Sequence, residues 1–353
     1  MRKLASIRKI LGVHPIDGAD LIEVVTVDGW KVVTKKGEFQ EGDLCVYFEI
    51  DSVLPIREEF EFLRKGCYVK KDWLTSKTNP TGEGFRLKTI KLRKQISQGL
   101  VIPLGNLTDV IEGDDVTDTF GVVKWDPPVP ATLAGKVRGN FPSRIPKTDQ
   151  ERIQNLKEKD LAPYIDDDFE VTIKLDGSSM TMYNIDGKFG VCSRNLDLDW
   201  ENDQSTTFVS KALSMKMDEI LQKFGNFALQ GELIGPGIQG NREGLQVAEF
   251  RLFDIYDVDQ GRYLDAFERS QMAVDIMNEQ ALLGVHEDHV LDICPTALKD
   301  LKAARMSAEE LLELADGPSI NNPIREGLVF KSIQNPDFTF KAISNEFLIK
   351  GGD

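Results

Sequence analysis

Short apolar runs, broken by glycine, proline and acidic clusters, fill the first third of the chain and read as strands. The segment from Met1 to Val13 is basic and partly apolar. It is expected to open the fold as a β-strand, since Asp17 and Asp20 follow quickly and no small-residue cleavage site appears. Ile22–Val27 and Trp30–Thr34 flank Asp28-Gly29, a hairpin signal because a type I′ turn needs positive φ at both central residues. Further runs lie at Leu44–Ile50, Arg86–Leu92 and Gly99–Leu104. Several short strands without a long helix imply a small β-barrel over residues 1–125. Pro127, Pro128, Pro130, Pro142 and Pro146 then mark 126–146 as a linker or an extended crossing segment.

Beyond it the pattern changes. Val171–Leu175 and Ser179–Asn184 alternate as strands do, and Asp186-Gly187 turns the chain back through Phe189–Ser193. Helical periodicity fits Thr206–Phe224, Ala266–Leu283 and Ala308–Ala315, and Thr148-Asp149 is placed to cap a helix over Glu151–Lys159. The expected class is α+β, with a small β-domain followed, over 147–353, by antiparallel sheets and helices.

Composition narrows the function. At 353 residues, 41% hydrophobic and 29% charged, the chain suits a soluble protein of two domains or three. No apolar run reaches the length of about 18 residues that a membrane helix needs, so no membrane partner is expected. The net charge of −15 argues against a nonspecific polyanion binder, although a local basic groove is compatible with it. Residues 1–125 carry 19 basic and 19 acidic side chains, so the whole excess lies downstream. The densest basic stretch, Lys88-Thr-Ile-Lys-Leu-Arg-Lys94, reads equally as a solvated strand or a nucleic-acid contact. Cysteines 45, 67, 192 and 294 form no CxxC pair, and three histidines accompany them. That disfavours zinc and a disulfide framework, and implies reduced, mostly buried thiols in a cytoplasmic protein. His286-Glu-Asp-His289 reads as a solvated loop and receives no function.

The sharpest local signal is Lys174-Leu-Asp-Gly-Ser178 at the end of a predicted strand. Alone it describes a surface hairpin turn. In order after it come Ser193-Arg194-Asn195, Glu232 within Leu229–Gly235, Phe253-Asp254, Glu326-Gly-Leu-Val-Phe-Lys331 and Phe340-Lys341. This ordered set resembles the covalent nucleotidyltransferase superfamily of polynucleotide ligases and RNA capping enzymes, whose fold is an ATP-grasp-like ligase domain. The resemblance implies Lys174 as the residue that becomes lysyl-AMP. Such a lysine attacks the α-phosphorus only as a neutral amine, so neighbouring cations and a metal are expected to favour loss of its proton. Asp176 and Glu326 would hold magnesium or manganese, directly or through water. Lys341 would neutralise charge on the α-phosphate, Glu232 accept from ribose hydroxyls, Phe253 stack on adenine and Arg194 contact phosphate or ribose. Each has a plainer reading: Phe253 as core, Glu232 as a turn cap, Arg194 as the partner of Asp197 or Asp199.

Within the superfamily, 12 residues follow Lys341, which leaves no room for the C-terminal OB barrel of DNA ligases and capping enzymes. ATP is the expected donor, because the nicotinamide-binding module of NAD-dependent ligases is missing ahead of the lysine domain. His14-Pro-Ile-Asp-Gly-Ala-Asp-Leu-Ile-Glu23, Gly42-Asp43 and Asp51-Ser-Val-Leu-Pro55 look like an OB-type barrel related to tRNA-binding modules. An OB domain ahead of this catalytic domain resembles the RNA ligase family typified by the Deinococcus and Naegleria enzymes. Phe141–Asp149, Glu151–Asn155 and Phe340–Lys350 strengthen the match. The resemblance implies an ATP-dependent RNA ligase, monomeric, that seals 3′-OH/5′-phosphate nicks whose 3′-OH strand ends in RNA, and so serves RNA repair. Arg152 becomes a candidate for the β/γ-phosphates or the RNA 5′-phosphate, its plain reading being an exposed helix arginine. Many ligases carry two lysines one residue apart in the last motif; here Ala342 and Ile343 follow Lys341, and Lys331 or Lys350 is the alternative second charge. Two rivals stand beside this reading: a capping-like nucleotidyltransferase, and a noncatalytic RNA-binding protein on a ligase framework.

Overall fold

The computed structural model describes residues 3–77, 79–125 and 136–350. The chain forms two compact units, Met1–Val129 with Gln154–Lys157, and Pro130–Ile153 with Glu158–Asp353. Part of the expected linker, 126–135, lies outside the described residues. Its continuation Val137–Asn140 is a strand paired with Leu196–Leu198.

In the first unit the opening strand, Ala5–Pro15, serves two partners. Its first half pairs antiparallel with Leu44–Phe48 and its second half with Ile22–Val27, the register shifting between Ile10 and Gly12. Such a bulge bends a strand, which lets one sheet curl toward a barrel. Leu100–Pro103 and Trp30–Lys35 lie at the two edges of this five-stranded sheet. A second sheet runs Val123–Lys124, Ser52–Leu54, Glu83–Arg86, Tyr68–Lys70. Trp30 is fully buried among Ile10, Val25, Tyr47 and Val101. A buried indole needs an acceptor, and its Nε1 donates to Asn155 Oδ1 at 2.8 Å. The Asp28-Gly29 turn forms, with Asp28 at φ 46°, and the Gly29 amide donates to Gln154 O.

The run expected as one strand over Arg86–Leu92 is divided between two, Glu83–Arg86 and Thr89–Leu92, with Leu87 still bonded to Asp51 and Ser52. Thr89–Leu92 then pairs with Gln95–Gln98 in a hairpin whose tip, Arg93 and Lys94, takes φ of 49° and 70°. Lys88, Lys91, Arg93 and Lys94 are all exposed on it.

The second unit is built on two sheets. One runs Val137–Asn140, Leu196–Leu198, Lys188–Cys192, Ser178–Ile185, Phe227–Ile234, Glu249–Asp257, Arg262–Tyr263, with Asp292–Ile293 also beside Glu249–Asp257. The other runs Glu151–Arg152, Thr339–Ile343, Gly327–Ser332, Phe169–Lys174, Thr296–Leu301. Pairing is mostly antiparallel, but Glu151–Arg152 and Asp292–Ile293 join in parallel, so both sheets are mixed. Met180, Met182, Leu229 and Leu252 bury one face of the larger sheet against Val209 and Ala212 of the helix Thr207–Ser214 and Met272, Ala273 and Ile276 of the helix Ala266–Leu282. Asp265 and Glu268 close a reciprocal cap at the start of the latter. Asp265→Ala is expected to cost about 1 kcal/mol in urea unfolding.

Two helical expectations need correction. No helix covers Glu151–Lys159. Glu151 and Arg152 form a strand against Phe340 and Lys341, followed by a 3-10 turn at Ile153–Asn155 and a single helical turn at Glu158–Leu161. Sheet pairing outweighs the local cap signal, and the Thr148 hydroxyl is engaged with Ser179 Oγ at 2.8 Å. The Thr206–Phe224 helix breaks at Lys216, which sits at φ 58°, into Thr207–Ser214 and Met217–Ile220. The four cysteines are free thiols, with Cys45, Cys192 and Cys294 buried and Cys67 half-buried. Among the described residues no helix is long and apolar enough to cross a membrane.

Candidate active site

Residues paired directly across neighbouring strands share one face of a sheet. In the five-stranded sheet Arg152 pairs with Lys341, Lys341 with Val329, Val329 with Thr172, and Gly327 with Lys174. Arg152, Lys341 and Lys174 therefore stand on the same face. Val171, Leu328, Phe330 and Phe340 point the other way and are fully buried. In the larger sheet Glu232 lies between Ser179 and Arg251. Glycine is required at two joints. A Cβ on Gly327 would overlap Ala342 O, and one on Gly177 would overlap Leu233 O, Ile234 and the Glu232 side chain. Each permits the close strand approach that sets a site carboxylate, Glu326 or Glu232, near Lys174.

Lys174 Nζ donates to Glu326 Oε2 at 2.6 Å, the two side chains being 21% and 18% exposed. Asp176 Oδ2 accepts from Arg242 Nε at 3.0 Å. Phe253 is the extra residue of a bulge, since Gln230 pairs with Asp254 and Gly231 with Leu252. The bulge re-aims it. Its ring packs, half-buried, beside Leu175, Ile234 and Cys294. Arg194 pairs with Asp149 at 2.6 Å, not with Asp197 or Asp199. Asp197 instead takes Arg138 and the Tyr183 hydroxyl. Lys147 Nζ reaches Asn195 Oδ1 and Gln230 Nε2 reaches Pro146 O, so the 146–149 segment is pinned to the bend that carries Arg194 and to the strand that carries Glu232.

The candidate second cations separate. Lys331 stands on the site face opposite Glu170, but its ammonium turns to Asp254 and, at 3.4 Å, to Phe253 O, with Arg269 joining Glu170 behind it. Lys350 is exposed and pairs with Glu346. Arg152, read as a helix arginine in its plain form, is on a strand next to Lys341.

The protonation of the lysines departs from expectation. Burial pulls the Lys174 amine down, but Glu326, Glu232 and Asp176, with the Glu326 hydrogen bond, outweigh it and hold Lys174 above the usual lysine range. Its surroundings are anionic, where cations were expected. Lys341 is depressed instead, pushed down to about 7 by burial, then by Lys174 and Arg152, and burial takes Lys331 down to about 7 as well. Burial raises Glu232 to about 8, opposed by Lys174 and reinforced by Glu326 and Asp176.

A carboxyl raised in the fold binds a proton that the unfolded chain has lost. Stability should therefore fall as pH climbs from the ordinary glutamate range toward 8. The wild-type melting temperature is expected to drop more steeply from pH 5 to 8 than that of Glu232→Gln.

Asp176 and Glu326 are the hard oxygen donors that magnesium or manganese takes together with phosphate oxygens. Among the described residues no group of three or more His, Cys, Asp and Glu is arranged to hold a metal. A cation here would complete its shell from substrate and water. His286 and His289 belong to a 3-10 turn, where His289 Nδ1 contacts Lys211.

Residues 4–104 match an OB-fold domain family, and residues 167–343 match the family described as RNA ligase. The chain belongs to the RNA ligase family. Solved structures of the Naegleria gruberi RNA ligase are similar throughout. An apo aspartate-to-alanine mutant is 43% identical, with a TM-score of 0.87, over 100% of this chain and 99% of that one. A lysine-to-methionine mutant with AMP and Mn is 42% identical, with a TM-score of 0.88, over all of both chains. A glutamate-to-alanine mutant with ATP and Mn is 42% identical, with a TM-score of 0.87, again over all of both. No curated protein matches. In this RNA ligase, sequence reasoning missed Arg242, the sole cation of the glycine-rich connector Gly235–Gly244. A lone arginine in a loop joining two site strands was the available signal.

Proposed function

We propose that this RNA ligase is ATP-dependent and seals 3′-OH/5′-phosphate nicks whose 3′-OH strand ends in RNA, by way of lysyl-AMP on Lys174. In the first step Lys174 Nζ bonds to the α-phosphorus, the α–β bridging bond breaks, pyrophosphate leaves and the amine loses its proton. In the second the AMP passes to a 5′-phosphate, freeing Lys174. In the third a 3′-OH attacks the adenylylated end, AMP leaves and the phosphodiester forms. A divalent metal on Asp176 and Glu326 would withdraw charge from the α-phosphate oxygens. By engaging Glu326 it would also weaken the ion pair that keeps Lys174 charged. Lys341 and Arg152 stand to neutralise the phosphates, Phe253 to stack on the base, Arg194 to contact phosphate or ribose and Lys331 to back the base pocket. Glu232, raised to about 8, is suited to meet the ribose hydroxyls as donor or acceptor.

The observation that carries this reading is the placement of Lys174, Arg152 and Lys341 on one sheet face with Glu326 and Asp176 at its rim. We assign RNA duplex contact to residues 1–125, joined by 126–146 to nucleotidyl transfer in 147–353. The protein would act as a cytoplasmic monomer, which light scattering of the purified chain checks. The functional test mixes the protein with α-labelled ATP and magnesium or manganese, followed by a denaturing gel and then a nicked duplex with an RNA 3′-OH. A labelled band that pyrophosphate removes, and that the nick consumes to give sealed product, is expected. No band with either metal would sink the ligase chemistry, and a band from GTP alone would move the reading to a capping-like transfer.

A further inference from the structure

Arg242 lies outside every motif that led to the site, yet it touches the site's carboxylate. Its Nε donates to Asp176 Oδ2 at 3.0 Å and its guanidinium lies 4.5 Å from the centre of the Phe347 ring, on the short helix Asn345–Ile349 that follows the Lys341 strand. Stacking on an aromatic face while bonding a carboxylate is a geometry arginine holds better than lysine. The loop beneath it is fixed. Asn241 brackets Leu245, accepting from its amide at 3.0 Å and donating to its carbonyl at 2.8 Å. The Glu243 carboxylate, 6% exposed, accepts from the Asn321 amide at 2.7 Å and from the Ser319 hydroxyl, and Asn322 Nδ2 donates to Arg242 O. These bonds tie the arginine to the segment that runs directly into Glu326.

We propose that Arg242 is a positioning residue that competes with the divalent cation for Asp176. It holds the carboxylate in place, balances its charge, and must release Asp176 Oδ2 for the metal to take that oxygen. The inference rests on the metal role proposed for Asp176. A cation and a guanidinium cannot both draw fully on one carboxylate oxygen, so each weakens the other's hold, and the loss is reciprocal. Removing the arginine should therefore tighten metal binding, the opposite of what removing a merely structural contact does. It should also slow adduct formation, because Asp176 is no longer aimed.

The test is Mn²⁺ binding to the full-length protein without nucleotide, read by electron paramagnetic resonance, for wild type, Arg242→Gln, Arg242→Lys and Asp176→Asn. Arg242→Gln is expected to bind Mn²⁺ about fivefold more tightly, the size an ion pair of this exposure can withhold. Arg242→Lys, which keeps the charge, should stay close to wild type, and Asp176→Asn should lose the site. If Asp176→Asn binds Mn²⁺ as wild type does, the metal reading of Asp176 fails. If Asp176→Asn loses the ion but Arg242→Gln, with an unchanged melting temperature, binds it no more tightly, the competition alone is overturned. Should Arg242→Gln not fold, Arg242→Met takes its place, since it keeps an apolar stem over the Phe347 ring and lacks the charge: a gain of about fivefold in Mn²⁺ binding carries the inference, and no gain overturns it.

Discussion

With Lys174→Ala, α-labelled ATP should leave no band on a denaturing gel at any magnesium or manganese concentration, a loss of more than about 10⁴-fold. No other lysine can replace it. Lys341 stands two strands away on the same face, and Lys331 is turned toward Asp254. The same variant should still join a strand supplied with a ready-made 5′-adenylyl end, because the last step needs the metal and phosphate contacts but not the amine. That second half separates a missing nucleophile from a misfolded protein. A persistent band would show that another group carries the nucleotide.

Lys341→Met is expected to slow adduct formation by about 10²–10³, the usual effect of removing one charge aimed at a developing anion. The apolar stem is kept, so the packing of Phe340 and Ala342 behind the sheet should stand. Its pH signature is more telling. With a pKa of about 7, Lys341 is charged before ATP binds only on the acid side. At higher pH the triphosphate must bring a proton onto it. The apparent ATP affinity should then fall, by up to about tenfold per pH unit above 7, until the bound-state pKa is passed. Lys341→Met should flatten that fall. An equally steep profile in the variant would place the titrating group elsewhere.

The set of residues that the fold gathers around Lys174 was legible as particular residue types in a particular order. Lys174, Asp176, Glu232, Glu326 and Lys341 are of this kind; local patterning located the strand that ends at Lys174 but not those that carry Glu232 and Lys341. Three features were not legible, each because distant pairing decides them. Glu151 and Arg152 carry a good helix-start signal, yet a parallel pairing with residues almost two hundred positions later claims their backbone. The bulge that re-aims Phe253 exists only in the register between two strands. The charge state of Lys174 depends on which groups surround it, and the three carboxylates that do so come from separate stretches of sequence.

The excursion of Gln154–Lys157 into the first unit bears on how the enzyme can be dissected. No single cut in the gene leaves each unit with all of its own residues. A fragment ending at 129 would leave the Trp30 indole without the Asn155 oxygen and Asp28 and Glu112 without the Lys157 ammonium. A fragment starting at 130 would carry those four residues as a loose thread, tugging on Arg152 two positions upstream. Weak adenylylation by a truncated catalytic piece would then report a frayed phosphate contact, and not a need for the barrel in the chemistry. Asn155→Ala with Lys157→Ala in the full-length chain, which loosens that segment and keeps the barrel, would tell the two apart: a comparable loss of rate assigns the effect to the fraying.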